Sequence, residues 1–100
     1  MIFLLLVAAG IYPSCSGAPE KTKVRVLCAG SLMVPFDALE KTFEASHPDV
    51  DILIEGHGSI QVIRHVTELY EEADVLAVAD DSLIPMMMYA TNVPETGQPY

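Results

Sequence analysis

Lys23-Val24-Arg25-Val26-Leu27-Cys28-Ala29, running into the turn Ala29-Gly30-Ser31-Leu32, is the stretch on which the fold turns. Its apolar, β-branched character predicts a strand. The serine turn then opens a helix with Pro35 in its first turn, where a missing N–H costs little. Phe36, Leu39 and Phe43 recur at i, i+3 and i+7 and predict one apolar face, while Asp37, Glu40, Lys41 and Glu44 face water. Pro48 ends that helix.

Working outward, Val50-Asp51-Ile52-Leu53-Ile54 reads as a second strand, and Glu55-Gly56-His57-Gly58-Ser59 as the turn into a second helix. That helix carries Ile60, Ile63, Val66 and Tyr70 at near-helical spacing, flanked by Val62 and Leu69. Ala73 to Ala79 is a third strand, apolar enough for burial on both faces of a parallel sheet. Asp80-Asp81-Ser82 is expected to cap a short helix through Met88, and Ala90 to Tyr100 reads as a loop. The order β-α-β-α-β-α predicts an α/β fold, an open, doubly wound βαβαβ sheet. Three parallel strands leave both sheet edges open, so the sequence reads as the truncated N-terminal part of a larger domain.

The expected division is a signal peptide over 1–14, a lipidated tether over 15–22 and the domain over 23–100. Met1 to Gly10 is an uncharged apolar run, too short for a permanent span of about 20 residues but suited to a secretory signal. Cys15 follows in a loose lipobox, and a doubly acylated cysteine would hold the protein at the outer face of the cell membrane. A Cys15–Cys28 disulfide is the alternative. Five Lys and Arg against fourteen Asp and Glu, a formal charge of −9, argue against nucleic acid as a partner. Acidity does not exclude a small anion, because oriented amides and hydroxyls bind one without a net positive charge.

The chemistry sits where the first two strands hand over to their helices. Ligands of doubly wound sheets bind outside the carboxyl ends of the strands, and the Gly30-Ser31 and Gly58-Ser59 turns both lie at that edge. Each puts a serine and free N–H groups at a helix N-terminus, favourable for an anion. Two such turns could clamp a tetrahedral oxyanion through Ser31 and Ser59. The competing reading makes both serines ordinary N-caps.

Several runs together resemble the start of the tungstate/molybdate-binding proteins of ABC importers, chiefly the archaeal branch. They are Ala29-Gly30-Ser31-Leu32, Val34-Pro35-Phe36, Leu39 to Glu44, His47 to Asp51, Gly58-Ser59, Arg64, Val66 to Leu69, Ala73 to Asp80, Leu83-Ile84-Pro85 and Met87-Met88. The resemblance implies a type II periplasmic-binding-protein fold and a tungstate or molybdate ligand. It also implies ABC permease subunits as partners and no further cofactor. It places Ser31 and Ser59 against the oxyanion, with two carboxylates supplied from beyond Tyr100. Cys28 and His57 depart from what many members carry beside the serines. The alternatives are a receptor for sulfate or phosphate, and a fragment without transport function.

Other chemistries find less support. His47, His57 and His65 lack zinc-like spacing, and no resident metal is expected. Asp74, Asp80 and Asp81 bracket a strand end, but their expected work is capping and strand opening. Ser31 with His57 has neither a nucleophile elbow nor an identifiable acidic partner, so an enzyme is not expected. Met86-Met87-Met88 point in different directions on a helix and cannot converge on one ion.

Overall fold

The computed structural model describes residues 20–100. The expected signal, Cys15 and most of the expected tether lie outside the described residues. β1 spans Thr22–Ala29 and passes through a 3-10 turn, Gly30–Leu32, into α1, Met33–Ser46. β2 is Val50–His57, α2 Ser59–Thr67, β3 Val75–Ala77 and α3 Leu83–Met87. The sheet is parallel throughout, in the order β2-β1-β3. β1 is therefore central: Thr22 to Ala29 pair with Val50 to His57, and Val26 to Cys28 with Val75 to Ala77. This is the expected α/β arrangement of parallel strands alternating with helices.

Strand alternation sorts the side chains onto two faces. Val24, Val26, Ile52, Ile54 and Val75 line one apolar groove with Phe36, Leu39 and Phe43 of α1. The face predicted for α1 is the one turned to the sheet. The other face carries Arg25, Leu27, Glu55 and His57 and lies under α2. Leu27, Cys28, Val62 and Ile63 are fully buried and form the centre of the core. Burying one such aliphatic side chain contributes about 1.5–3 kcal/mol.

Four expectations need correction. β2 does not stop at Ile54: Glu55, Gly56 and His57 are strand, opposite Leu27, Cys28 and Ala29. Gly56 serves packing rather than a turn, since a Cβ there would stand 2.5 Å from Met33 Sδ. α2 ends at Thr67, and Tyr70 sits at φ 55, so Tyr70 leaves the buried stripe; Ile60 also lies largely outside it, 46 % exposed. β3 is only three residues long, and Val75 is 41 % exposed, so this strand is not buried on both faces. The Asp74 side chain prolongs its pairing instead: the carboxylate accepts the Arg25 N–H at 2.8 Å, and the Asp74 N–H donates to Arg25 O at 2.9 Å.

The last segment is also more ordered than a plain loop. Asn92 and Pro99 form an antiparallel bridge around a turn in which Gly97, at φ 67, takes the left-handed conformation that glycine tolerates best. The Tyr100 hydroxyl donates to Val66 O at 3.3 Å and ties this turn to the end of α2. Among the described residues, no helix is long and apolar enough to cross a membrane.

Candidate functional site at the carboxyl edge

Ala29 and His57 are register partners at the ends of β1 and β2. Ser31 and Ser59 each follow two residues later, so both stand at the carboxyl edge. The chain leaves β1 toward β2 on one side and returns to β3 on the other. That reversal is where doubly wound sheets open a crevice.

Neither serine is a helix N-cap. Ser31 lies within the 3-10 turn, and the residue capping α1 is Leu32. Ser59 is the first residue of α2, capped by Gly58, with no side-chain bond to the helix from the capping position. The capping is supplied from inside the helix: Gln61 Oε1 accepts the Gly58 N–H at 3.0 Å. A Cβ on Gly58 would come within 2.8 Å of that oxygen, so a larger residue here would make the Gln61 side chain shift. At Gly30 the corresponding position meets nothing closer than His57 O at 3.8 Å. Packing within this chain makes no such demand on Gly30.

The Ser59 hydroxyl oxygen accepts the Ala79 N–H at 3.2 Å. This bond draws the segment after β3 onto the start of α2. A hydroxyl has two lone pairs and one hydrogen, so accepting from Ala79 leaves the hydrogen free to donate elsewhere. Ser31 is exposed, and among the described residues its hydroxyl makes no hydrogen bond. Ser59 borders an open recess of about 620 Å³ with Gln61, Arg64, Asp80 and Leu83. Arg64 is paired with Glu68 at 3.4 Å on the helix surface. Asp80 is turned to Ser82, accepting its amide at 2.9 Å and its hydroxyl at 2.7 Å. Those bonds hold the Asp80 carboxyl below its ordinary range. Asp80 thus closes a local turn rather than capping α3, whose N-cap is Ser82.

Cys28 does not reach this edge. Its side chain is fully buried with Sγ 3.5 Å from Met33 Sδ, and burial, then the charge of Asp37, pushes its thiol pKa up. Its place in the fold is packing.

His57, expected in a turn, instead ends β2 and belongs to a polar cluster under α2. Its Nε2 lies 2.7 Å from Glu55 Oε1, and its ring stacks on His65 with centroids 4.3 Å apart. His65 Nδ1 lies 2.6 Å from Glu71 Oε2. Arg25 joins the two halves, donating to Glu55 at 3.2 Å and Glu71 at 3.3 Å. The bonds from His57 and then Arg25 lower the Glu55 pKa. His57 and His65 have no zinc-like spacing in sequence, yet they meet because β2 and α2 pack against each other. The period-2 series Leu53, Glu55, His57 was the available signal.

No family model matches the chain. A solute-binding protein of Methanoculleus marisnigri, itself named uncharacterized, is 37 % identical over 87 % of this chain and 28 % of the relative. One from Methanococcus maripaludis is 46 % identical over 65 % of the chain and 19 % of the relative. The molybdate/tungstate-binding protein WtpA of Pyrococcus abyssi is 39 % identical over 88 % of the chain and 27 % of its own length. The chain spans between 19 and 28 % of these relatives. It is a homologue of a portion of the solute-binding proteins, a group in which some members are named for molybdate and tungstate.

Proposed function

We propose that the chain supplies part of the site with which an extracytoplasmic solute-binding protein captures tungstate or molybdate for an ABC permease. The observation that carries this reading is the placement of Ser31 and Ser59 at matching positions beyond a register pair, with both hydroxyl hydrogens available. The amides of the first turn of α2 add donors and the positive end of the helix dipole. At Gly30 the absent Cβ leaves room for an oxyanion to reach the backbone. The names of the relatives favour tungstate and molybdate over other oxyanions. The role is binding and release, without covalent chemistry; the ligand favours whichever state it binds better.

Titration calorimetry with tungstate, molybdate, sulfate and phosphate, on the whole solute-binding protein whose site this chain helps to form, tests this. Tungstate and molybdate are expected to bind far more tightly than the other two. Equal binding of sulfate or phosphate would leave a general oxyanion receptor, and no binding of any of the four would leave a fragment without transport function. Ser31→Ala keeps the amide but removes a hydroxyl donor to a charged ligand, an expected loss of about 1.5–3 kcal/mol. Unchanged affinity in that variant removes Ser31 from the site. On the same reading the protein is held at the membrane through a lipidated Cys15. Mass spectrometry of the membrane-associated protein tests that point by the presence or absence of acyl chains on Cys15.

A further inference from the structure

The polar cluster under α2 plays no part in the oxyanion reading. β2 lifts Glu55 and His57 onto the same face two residues apart, and α2 lowers His65 onto them. One ligand atom from each of the three falls within 4.8 Å of the others, and all three residues are only partly exposed. We propose that Glu55, His57 and His65, brought together where β2 meets α2, bind a divalent cation of the Zn²⁺ class.

The donor set selects the ion. Two imidazole nitrogens and one carboxylate oxygen suit zinc and its neighbours, whereas Ca²⁺ and Mg²⁺ take oxygen ligands. Bond lengths of about 2.0–2.2 Å around a tetrahedral zinc place ligand atoms about 3.4 Å apart. The Glu55–His57 contact of 2.7 Å has to open slightly and give up its shared proton as the ion binds, and the other separations already lie within 4.8 Å, within reach of side-chain rotation. Three protein ligands leave a fourth position for water or an outside ligand, the pattern of open rather than structural zinc sites.

Charge and the surrounding contacts point the same way. Arg25 contributes one positive charge and Glu55 and Glu71 two negative ones, so with neutral rings the cluster carries −1. A divalent ion therefore meets a complementary site despite the guanidinium. Glu71 completes it from outside. By accepting the proton on His65 Nδ1 at 2.6 Å it leaves the lone pair on Nε2, the carboxylate–histidine arrangement found behind metal ligands. Arg25 holds Glu71 in place at 3.3 Å. Glu71 is thus a positioning residue for the metal rather than a ligand.

The test is Zn²⁺ calorimetry on the full chain, with Co²⁺ as a spectroscopic probe. The wild type is expected to bind Zn²⁺ and to give a visible Co²⁺ band of low-coordinate type. Glu71→Gln is expected to weaken binding about 10–100-fold. His57→Asn with His65→Asn should abolish it, and His47→Asn, on a distant exposed residue, should change nothing. Circular dichroism checks that each variant keeps its helices; should the double variant lose them, Glu71→Gln and the Co²⁺ band decide. No Co²⁺ band in the wild type, or wild-type Zn²⁺ affinity in a folded double variant, overturns the proposal. Oxyanion affinity is expected to be the same with and without a chelator, because the two sites are independent.

Discussion

The two faces of the sheet are held by different physics. Under α1 the strands offer Val24, Val26, Ile52, Ile54 and Val75, and the helix answers with Phe36, Leu39 and Phe43. Under α2 the same strands offer Arg25, Leu27, Glu55 and His57, and only Leu27, Val62 and Ile63 make a sealed apolar plug. A buried parallel sheet ordinarily reads as apolar on both sides. Here an apolar groove lines one face, open on its helix side with Leu39 60 % and Phe43 43 % exposed, while on the other a small plug is sealed and a charged network fixes geometry. The polar face is where this chain departs from what its architecture requires, and that is the place to look for chemistry.

Three substitutions break or sharpen the contrast. Ile63→Ala removes the centre of the plug and is expected to destabilise by about 2–5 kcal/mol in chemical denaturation, the largest effect of the three. Gly56→Ala tests the tightest point of the α1 face, where a Cβ would stand 2.5 Å from Met33 Sδ. Met33 can swing aside, so the expected cost is about 1 kcal/mol, and it should shrink in combination with Met33→Ala. Arg25→Met removes the link between Glu55 and Glu71, whose side chains are 43 % and 31 % exposed. The expected loss is below about 1 kcal/mol, and smaller again in high salt. If Arg25→Met costs as much as Ile63→Ala, the charged network carries stability and the contrast collapses.

Much of the fold was legible because β1, α1 and the core of β2 obey their periods without conflict. The Val24–Ala29 run, the Phe36-Leu39-Phe43 stripe and Pro48 all point to what the chain does. Where reading failed, a tertiary partner decided. Glu55-Gly56-His57 has turn composition, but eight residues of β1 offer a ladder as far as Ala29, and Gly56 lets Met33 pack closely over the strand. Tyr70 fits the helical stripe by spacing, yet α2 stops before it. The positions of Ser31 and Ser59 at the sheet edge could be placed from strand and helix order alone. The Ser59–Ala79 bond could not, because it joins residues 20 apart through the return to β3. The histidine cluster stayed hidden for the same reason.

The central place of β1 has a consequence for the chain before its sheet has closed. Within the sheet this strand comes first in sequence, and both its partners follow it. β2 is reached only after the whole of α1 has intervened. Through that interval a β-branched segment presents two unpaired edges, the condition that invites strand addition by another molecule. Lys23 and Arg25 interrupt it at alternate positions, as charged gatekeepers do in segments prone to aggregate. Arg25, which in the closed sheet pairs with Glu55 and Glu71, is thus also the charge that interrupts this segment while its edges are open.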